Sequence, residues 1–352
     1  PFNQWFTGGR TNLCYNAVDR WAESHPERAA LIAVSTEEDA DGTPREHIYS
    51  FGELQREVER MAAIMLSLGV ARGDRVLIYM PMIAPAVFAM LACARIGAVH
   101  SVVFGGFAAN SLATRIDDAQ PRLVVSADAG SRSGKRVAYK PLLDEALRLA
   151  SHKPERVLLV DRGMVPMQME PSRDMDYASL RQQHLDARVP VTWLESNEMS
   201  YILYTSGTTG KPKGVLHTHA AMIGTARVLT EFDHLDERND VLCYLPLAWV
   251  GDFLYSFAMS HVAGFCLNCP ESPEIGPTYY FGPPRVYENI LTQVMIRIED
   301  AGWFKRRLFH AAMKLARRVG IRILDRKGNV SLADRLAYGL GELLVYGPLK
   351  NV

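Results

Sequence analysis

The chain has 352 residues, 48% of them hydrophobic and 22% charged, the balance of a globular protein with room for two or three subdomains. Lys and Arg number 39, as do Asp and Glu, so the net charge is zero, which argues against a nucleic-acid binder and its usual basic excess. Cys14, Cys93, Cys243, Cys266 and Cys269 are few, scattered and odd in number, as expected of reduced thiols in a cytoplasm. Cys266 and Cys269 have CxxC spacing, but no second pair or His cluster accompanies them. Buried strand cysteines are expected there, and no metal site.

The opening Pro1 to Phe6 is polar and aromatic. It lacks a basic run followed by an apolar one, so no signal peptide is expected. Val76 to Met80 reads as an apolar strand. The apolar stretch 82–107 is long enough to raise a membrane span. Pro85, Arg95, His100 and the Gly105-Gly106 pair favour a core helix, Met82 to Ile96, and a buried strand, Val99 to Phe104. A helix over Ala109 to Ala119 leads to a strand at Leu123 to Ser126. Tyr139 to Leu149 reads as helical and Val157 to Val160 as a strand. Apolar strands separated by helices imply a parallel sheet covered on both faces. Residues 162–197 show little periodicity and read as a connection. A second α/β unit starts at Met199, with strands at 200–204, 241–245, 265–267 and 279–281 and a helix from Ala220 to Glu231. From Arg285 to about Tyr346 the pattern is helical.

The segment from Tyr204 to Gly214, Tyr-Thr-Ser-Gly-Thr-Thr-Gly-Lys-Pro-Lys-Gly, carries the clearest chemistry. Its glycines let backbone N–H groups approach an anion, while its hydroxyls and two lysines add donors and charge. A polyphosphate wants this array. Pro212 stands where a Walker A loop needs Ser or Thr, so this is a different phosphate cradle.

At this loop the chain resembles the adenylate-forming (AMP-forming) synthetases, which include acyl-CoA synthetases, luciferases and peptide-synthetase adenylation domains. The resemblance implies an α/β fold, the large N-terminal domain of those enzymes, with two α/β subdomains, mainly parallel sheets and an incomplete C-terminal end. It implies the segments 1–30, 31–197 and 198–352, without the small C-terminal domain. It also implies that Thr205, Ser206, Gly207, Thr208, Thr209, Gly210, Lys211 and Lys213 hold the phosphates of ATP with Mg²⁺.

Gly130 to Arg136 sets three cations among small residues after a strand, which on the residues alone is equally a solvated turn. The flanking Val102 to Ala109 and the opening Trp5 to Asn12 resemble acetyl- and propionyl-CoA synthetases. In those enzymes a Gly-x-Arg-Gly-Gly-Arg turn binds CoA phosphates. Arg132 matches the first arginine and Lys135 the second, where a point charge replaces a bidentate fork. Leu245 to Asp252 includes Trp249, which suits either a core or an acyl pocket. The matching segment of short-chain synthetases lines the carboxylate pocket, which implies Trp249, Val250 and Gly251 for that role, Gly251 replacing a threonine.

Residues 1 to about 215 resemble propionyl-CoA synthetases. From about Asp240, the runs 243–252, 264–271, 281–289 and 342–350 are similar to bacterial long-chain acyl-CoA synthetases, which points to a chimera, natural or engineered. The resemblance also implies that the Mg²⁺-binding acid and the adenylation lysine lie in a part not present, so this chain is expected not to turn over. The implied reaction joins propionate or another short-chain acid to CoA with ATP; a long-chain enzyme or a non-catalytic nucleotide-binding remnant is the alternative. Residues 303–319 pattern as a basic amphipathic helix, with Phe304, Leu308, Ala311, Leu315 and Val319 on the apolar side. That fits a surface helix better than a peripheral membrane contact. His217 and His219 read as the lead into the helix at Ala220.

Overall fold

The computed structural model describes residues 8–38, 44–105, 107–132, 135–205, 213–243, 253–271 and 307–315, with single positions 248 and 339. The strands are β1 (Arg10–Thr11), β2 (Ala29–Glu38), β3 (Pro44–Ser50), β4 (Arg75–Met80), β5 (Val99–Phe104), β6 (Leu123–Ala127), β7 (Ala129–Arg132), β8 (Lys135–Ala138), β9 (Arg156–Val160), β10 (Asp174–Asp176), β11 (Leu194–Glu195), β12 (Met199–Thr205), β13 (Lys213–Thr218), β14 (Asp240–Leu242) and β15 (Cys266–Pro270). The helices are α1 (Arg20–Ser24), α2 (Phe51–Ser67), α3 (Ala84–Ile96), α4 (Ala109–Ala119), α5 (Tyr139–Leu149), α6 (Tyr177–Gln183) and α7 (His219–Phe232), followed by a short helix, Met259–Ala263. Wide helical turns occupy Tyr15–Asp19 and Phe253–Ala258.

A seven-stranded sheet runs in the order β10-β9-β6-β4-β5-β12-β13. Its strands are parallel except β13, which returns antiparallel to β12. Its central strands read as unbroken apolar runs because both faces are covered: Val76 to Tyr79 and Leu123 to Val125 are almost wholly buried. Helix α3 lies so deep that every residue from Ala86 to Ile96 is buried. Gly97 ends it in the left-handed region at φ 76°, and a Cβ there would sit 2.9 Å from a methyl of Leu194.

A second sheet, β14-β15-β2-β3, joins distant parts of the chain. β15 pairs parallel with β2, so residues past Asp240 are built into the same sheet as residues 29–38. Likewise β12, which opens the expected second subdomain, pairs with β5 of the first. The chain divides into two compact units, 1–281 and 282–352.

Several expectations shift in detail. The stretch 162–197 is not an irregular connection throughout, since it supplies β10, α6 and β11. Residues 51–67, given no element by periodicity, form α2, started by a capping box in which Ser50 Oγ accepts from the Glu53 N–H and Glu53 accepts from the Ser50 N–H. Within unit 282–352, residues 307–315 are helical. The buried positions there are Phe309 and Ala312, with Ala311 exposed, so the inward face is rotated from the expected Leu308–Ala311–Leu315 stripe. Burying the Phe309 ring removes far more apolar area than burying a methyl, which sets the rotation. The expected strand at 279–281 and the remaining helical pattern from 285 lie outside the described residues.

Candidate active site

Both segments expected to bind phosphates leave the same edge of the seven-stranded sheet. The loop after β12 and the hairpin after β6 start at the carboxyl ends of parallel strands, where open α/β sheets bind their ligands. The order β9-β6-β4-β5 also changes direction at β4, since β5 lies on one side of it and β6 on the other. That reversal opens a crevice beside the carboxyl ends of β4 and β6. A groove of ≈ 290 Å³ occupies this region, lined by Met82, Ile83 and Pro85 after β4, by Val160 and Arg162 at the end of β9, and by Ser35. β6 and β12 are three strand spacings apart, roughly 14 Å.

The expected phosphate loop is held at its stem. Thr205 ends β12 and pairs with Lys213, which starts β13 and is exposed. The remaining expected phosphate ligands, Ser206, Gly207, Thr208, Thr209, Gly210 and Lys211, lie outside the described residues. Below Thr205, the Tyr204 hydroxyl donates to Asp118 Oδ2 at 2.6 Å, and the Arg115 guanidinium lies 5.3 Å from the Tyr204 ring centre. Burial first, then the bond to Asp118, keeps the Tyr204 phenol protonated well above its usual range. Gly214 sits opposite Tyr204, where a Cβ would come within 3.0 Å of the Ile202 side chain. The strand β13 itself was missed: the run Gly-Val-Leu-His-Thr has β-branched residues at Val215 and Thr218, a signal overshadowed by the loop.

His217 and His219 do lead into α7, with Thr218 as N-cap: its side chain accepts from the Ala221 N–H. His217 is on β13 and half-buried, while His219 is fully buried with neither ring nitrogen partnered.

The run after β6 is an antiparallel hairpin, β7–β8, rather than a simple turn. Arg132 and Lys135 are cross-strand neighbours at its tip. The Tyr139 side chain wedges between two glycines of the flanking segments. A Cβ on Gly105 would lie 2.1 Å, and one on Gly130 2.5 Å, from the Tyr139 hydroxyl. Both positions therefore require glycine for this approach.

Of the expected acyl-pocket residues, Trp249, Val250 and Gly251 lie outside the described residues. They are bracketed by buried Cys243 and by the turn Phe253–Ala258, whose Phe253 stacks on Tyr201 of β12 at 4.0 Å between ring centres. Cys266 and Cys269 are buried in β15, as expected, and burial pushes the Cys266 thiol up to about 12. None of the five cysteines forms a disulfide. Among the described residues, no three His, Cys, Asp or Glu side chains gather as a metal site. No helix among them is long and apolar enough to cross a membrane.

A family model described as AMP-binding enzyme matches residues 18–346. The chain belongs to that family. Propionate–CoA ligase of Salmonella typhimurium is 64% identical over 215 residues, covering 61% of this chain and 33% of that protein. Propionate–CoA ligase of Escherichia coli is 63% identical over the same length. The human mitochondrial acyl-CoA synthetase short-chain family member 3 is 43% identical over 220 residues, 31% of its length. The chain thus spans about a third of the length of the curated relatives it matches.

Proposed function

We propose that the chain carries the nucleotide and CoA sites of an AMP-forming acyl-CoA synthetase acting on propionate or another short-chain acid. The observation that carries this reading is that the Thr205–Lys213 loop and the Arg132–Lys135 hairpin rise from one carboxyl edge of a parallel sheet. Family membership and relatives named as propionate–CoA ligases support it. In the proposed reaction a carboxylate oxygen attacks the α-phosphorus of ATP, and the bond to the bridging oxygen breaks as pyrophosphate leaves. The CoA thiol then attacks the acyl carbonyl, and AMP leaves. Thr205, Ser206, Gly207, Thr208, Thr209, Gly210, Lys211 and Lys213 would neutralise the β- and γ-phosphates of Mg²⁺·ATP, the largest charge that develops. Arg132 and Lys135 would hold phosphates of CoA. Trp249, Val250 and Gly251 would touch the acyl group. The absence of disulfides fits a reducing, cytoplasmic setting.

A long-chain acid is the second reading, favoured only by the resemblance of the runs after Asp240. Carboxylate-dependent exchange of label between pyrophosphate and ATP, with propionate against palmitate, separates the two. Mg²⁺·ATP binding is measured on the same protein. Exchange with propionate alone would assign specificity to residues 1–215. Exchange with palmitate alone would assign specificity to the residues past Asp240. ATP binding without exchange would identify a nucleotide-binding remnant, and no ATP binding would refute the reading. Lys211→Ala should weaken ATP binding by roughly tenfold or more, the value of one lost charge-assisted contact.

A further inference from the structure

Asp128 follows the last residue of β6 and is completely buried. Both carboxylate oxygens are used. Oδ1 accepts from the Ala129 N–H at 2.7 Å, and Oδ2 accepts from the Met164 N–H at 2.7 Å and the Val165 N–H at 3.4 Å. The backbone of Asp128 completes the knot. Its N–H donates to the Val160 carbonyl, and its carbonyl accepts from the Tyr139 N–H at 2.8 Å. One residue is therefore bonded to the hairpin's first residue, to the residue just after its last, and to the loop that follows β9.

Two arginines extend the clasp. Arg136, on the returning strand, donates to the Met164 carbonyl at 3.1 Å. Arg162 donates to the Ala129 carbonyl and, through both Nη atoms, to the Glu271 carboxylate at 2.8 and 2.7 Å. Glu271 also accepts from the N–H and hydroxyl of Thr36 on β2. Burial pushes the Glu271 carboxyl up, but Arg162 and Thr36 outweigh it and hold the group below its usual range. The hairpin root is thus tied to both sheets.

We infer that Asp128 is the positioning residue of the Arg132–Lys135 hairpin, holding it against residues 161–165 so that its two cations meet the phosphates of CoA; the second half of this statement rests on the CoA reading above. Backbone pairing alone leaves a four-residue-per-strand ribbon, which is marginal in water. A carboxylate suits the position because three N–H donors converge on it and it is acceptor-only. An asparagine would turn its amide donors either toward the Ala129 N–H or toward the Met164 and Val165 N–H groups.

The test is Asp128→Asn, read by trypsin cleavage after Arg132, Lys135 and Arg136 and by CoA and ATP affinities of the folded protein. Losing buried, charge-assisted bonds should speed hairpin cleavage about tenfold or more and weaken CoA binding by a similar factor, with ATP affinity unchanged. Ser126→Ala serves as the structural comparator: it removes a buried bond from the Ser126 hydroxyl on β6 to the Tyr79 carbonyl on β4 and should alter neither readout. Gly163→Ala strains the clasping loop at φ +69° without a steric clash and should shift both readouts a few-fold in the same direction, even if Asp128→Asn fails to fold. Wild-type cleavage in both Asp128→Asn and Gly163→Ala would overturn the inference. So would a loosened hairpin that binds CoA normally. If the wild-type protein binds no CoA, the CoA reading falls, while the cleavage rates still decide whether Asp128 anchors the hairpin.

Discussion

Two buried polar centres flank α3, and they are built on opposite terms. On one side, Arg95 is 3% exposed and is fully engaged: it bonds Asp19 at 2.9 Å, Glu59 at 3.0 Å and the carbonyl of Val189. Beside it, buried Asn12 donates to the carbonyls of Ala94 and Thr192 and accepts from the Tyr15 N–H. On the other side, His100, His219, His261 and the Tyr201 hydroxyl are buried with no hydrogen-bond partner. His100 and His261 line a void of ≈ 10 Å³ with Phe253 and Phe257. The difference follows from charge. A guanidinium cannot shed its proton, so it is buried only with partners. An imidazole can, so burial leaves it neutral and its partners are dispensable.

The largest effect should come from breaking the charged centre. Arg95→Met leaves the Asp19 and Glu59 carboxylates buried against an apolar chain. A loss of about 3–5 kcal/mol is expected from denaturant unfolding at neutral pH. A loss below about 1 kcal/mol would mean that the carboxylates find water or protonate cheaply, and that the triad adds little to the N-terminal segment it ties to α3.

Acid should act on the other centre. Burial holds His100 and His261 down at about 3 and His219 at about 4, with His100 lowered further by the two other imidazoles. The groups that face them include Glu198 near His219 and Arg20 near His261. Between pH 6.5 and these values the unfolded chain takes up protons that the folded chain refuses. Stability is therefore complete above about pH 6.5 and falls as the pH drops. The loss should reach roughly 2 kcal/mol per imidazole by pH 5. A stability curve flat from about pH 7 to pH 5 would show that the imidazoles are hydrated or partnered in solution.

How much of this was legible in the sequence depended on contact range. Helices α4 and α5 were bounded to the residue, because a 3.6-residue apolar period is a local signal. A phosphate loop could be proposed at 205–213 because the chemistry it needs is contiguous in the sequence. Helix α2 was missed although its capping box, Ser50 to Glu53, is a local signal, because the polar run Gln55 to Arg60, broken only by Val58, follows it and masks the apolar period. The hairpin root could not be read at all. Asp128 meets Met164 across 36 residues, and Arg162 meets Glu271 across 109. No period or motif encodes such pairings. Nor does any local feature mark the three orphaned histidines, since an isolated His in an apolar run looks the same whether it is partnered or not.

The smallest expected effect is also the sharpest test of the contrast. His261 packs edge-on to Phe257 at 4.4 Å and borders both the ≈ 10 Å³ void and another of ≈ 20 Å³. Its two ring nitrogens have no partner to lose. Replacing a buried donor that makes no bond with an apolar group of similar volume removes a desolvation cost and little else. His261→Met should therefore stay within about 1 kcal/mol of wild type near pH 7.5, on either side of zero. Below pH 6 it should be the more stable protein, because one refused proton has been removed from the linkage. A variant markedly weaker at neutral pH would show that the imidazole does hold something there, with an internal water bridging His261 across the two voids the first candidate, since each is close to the size that one water needs.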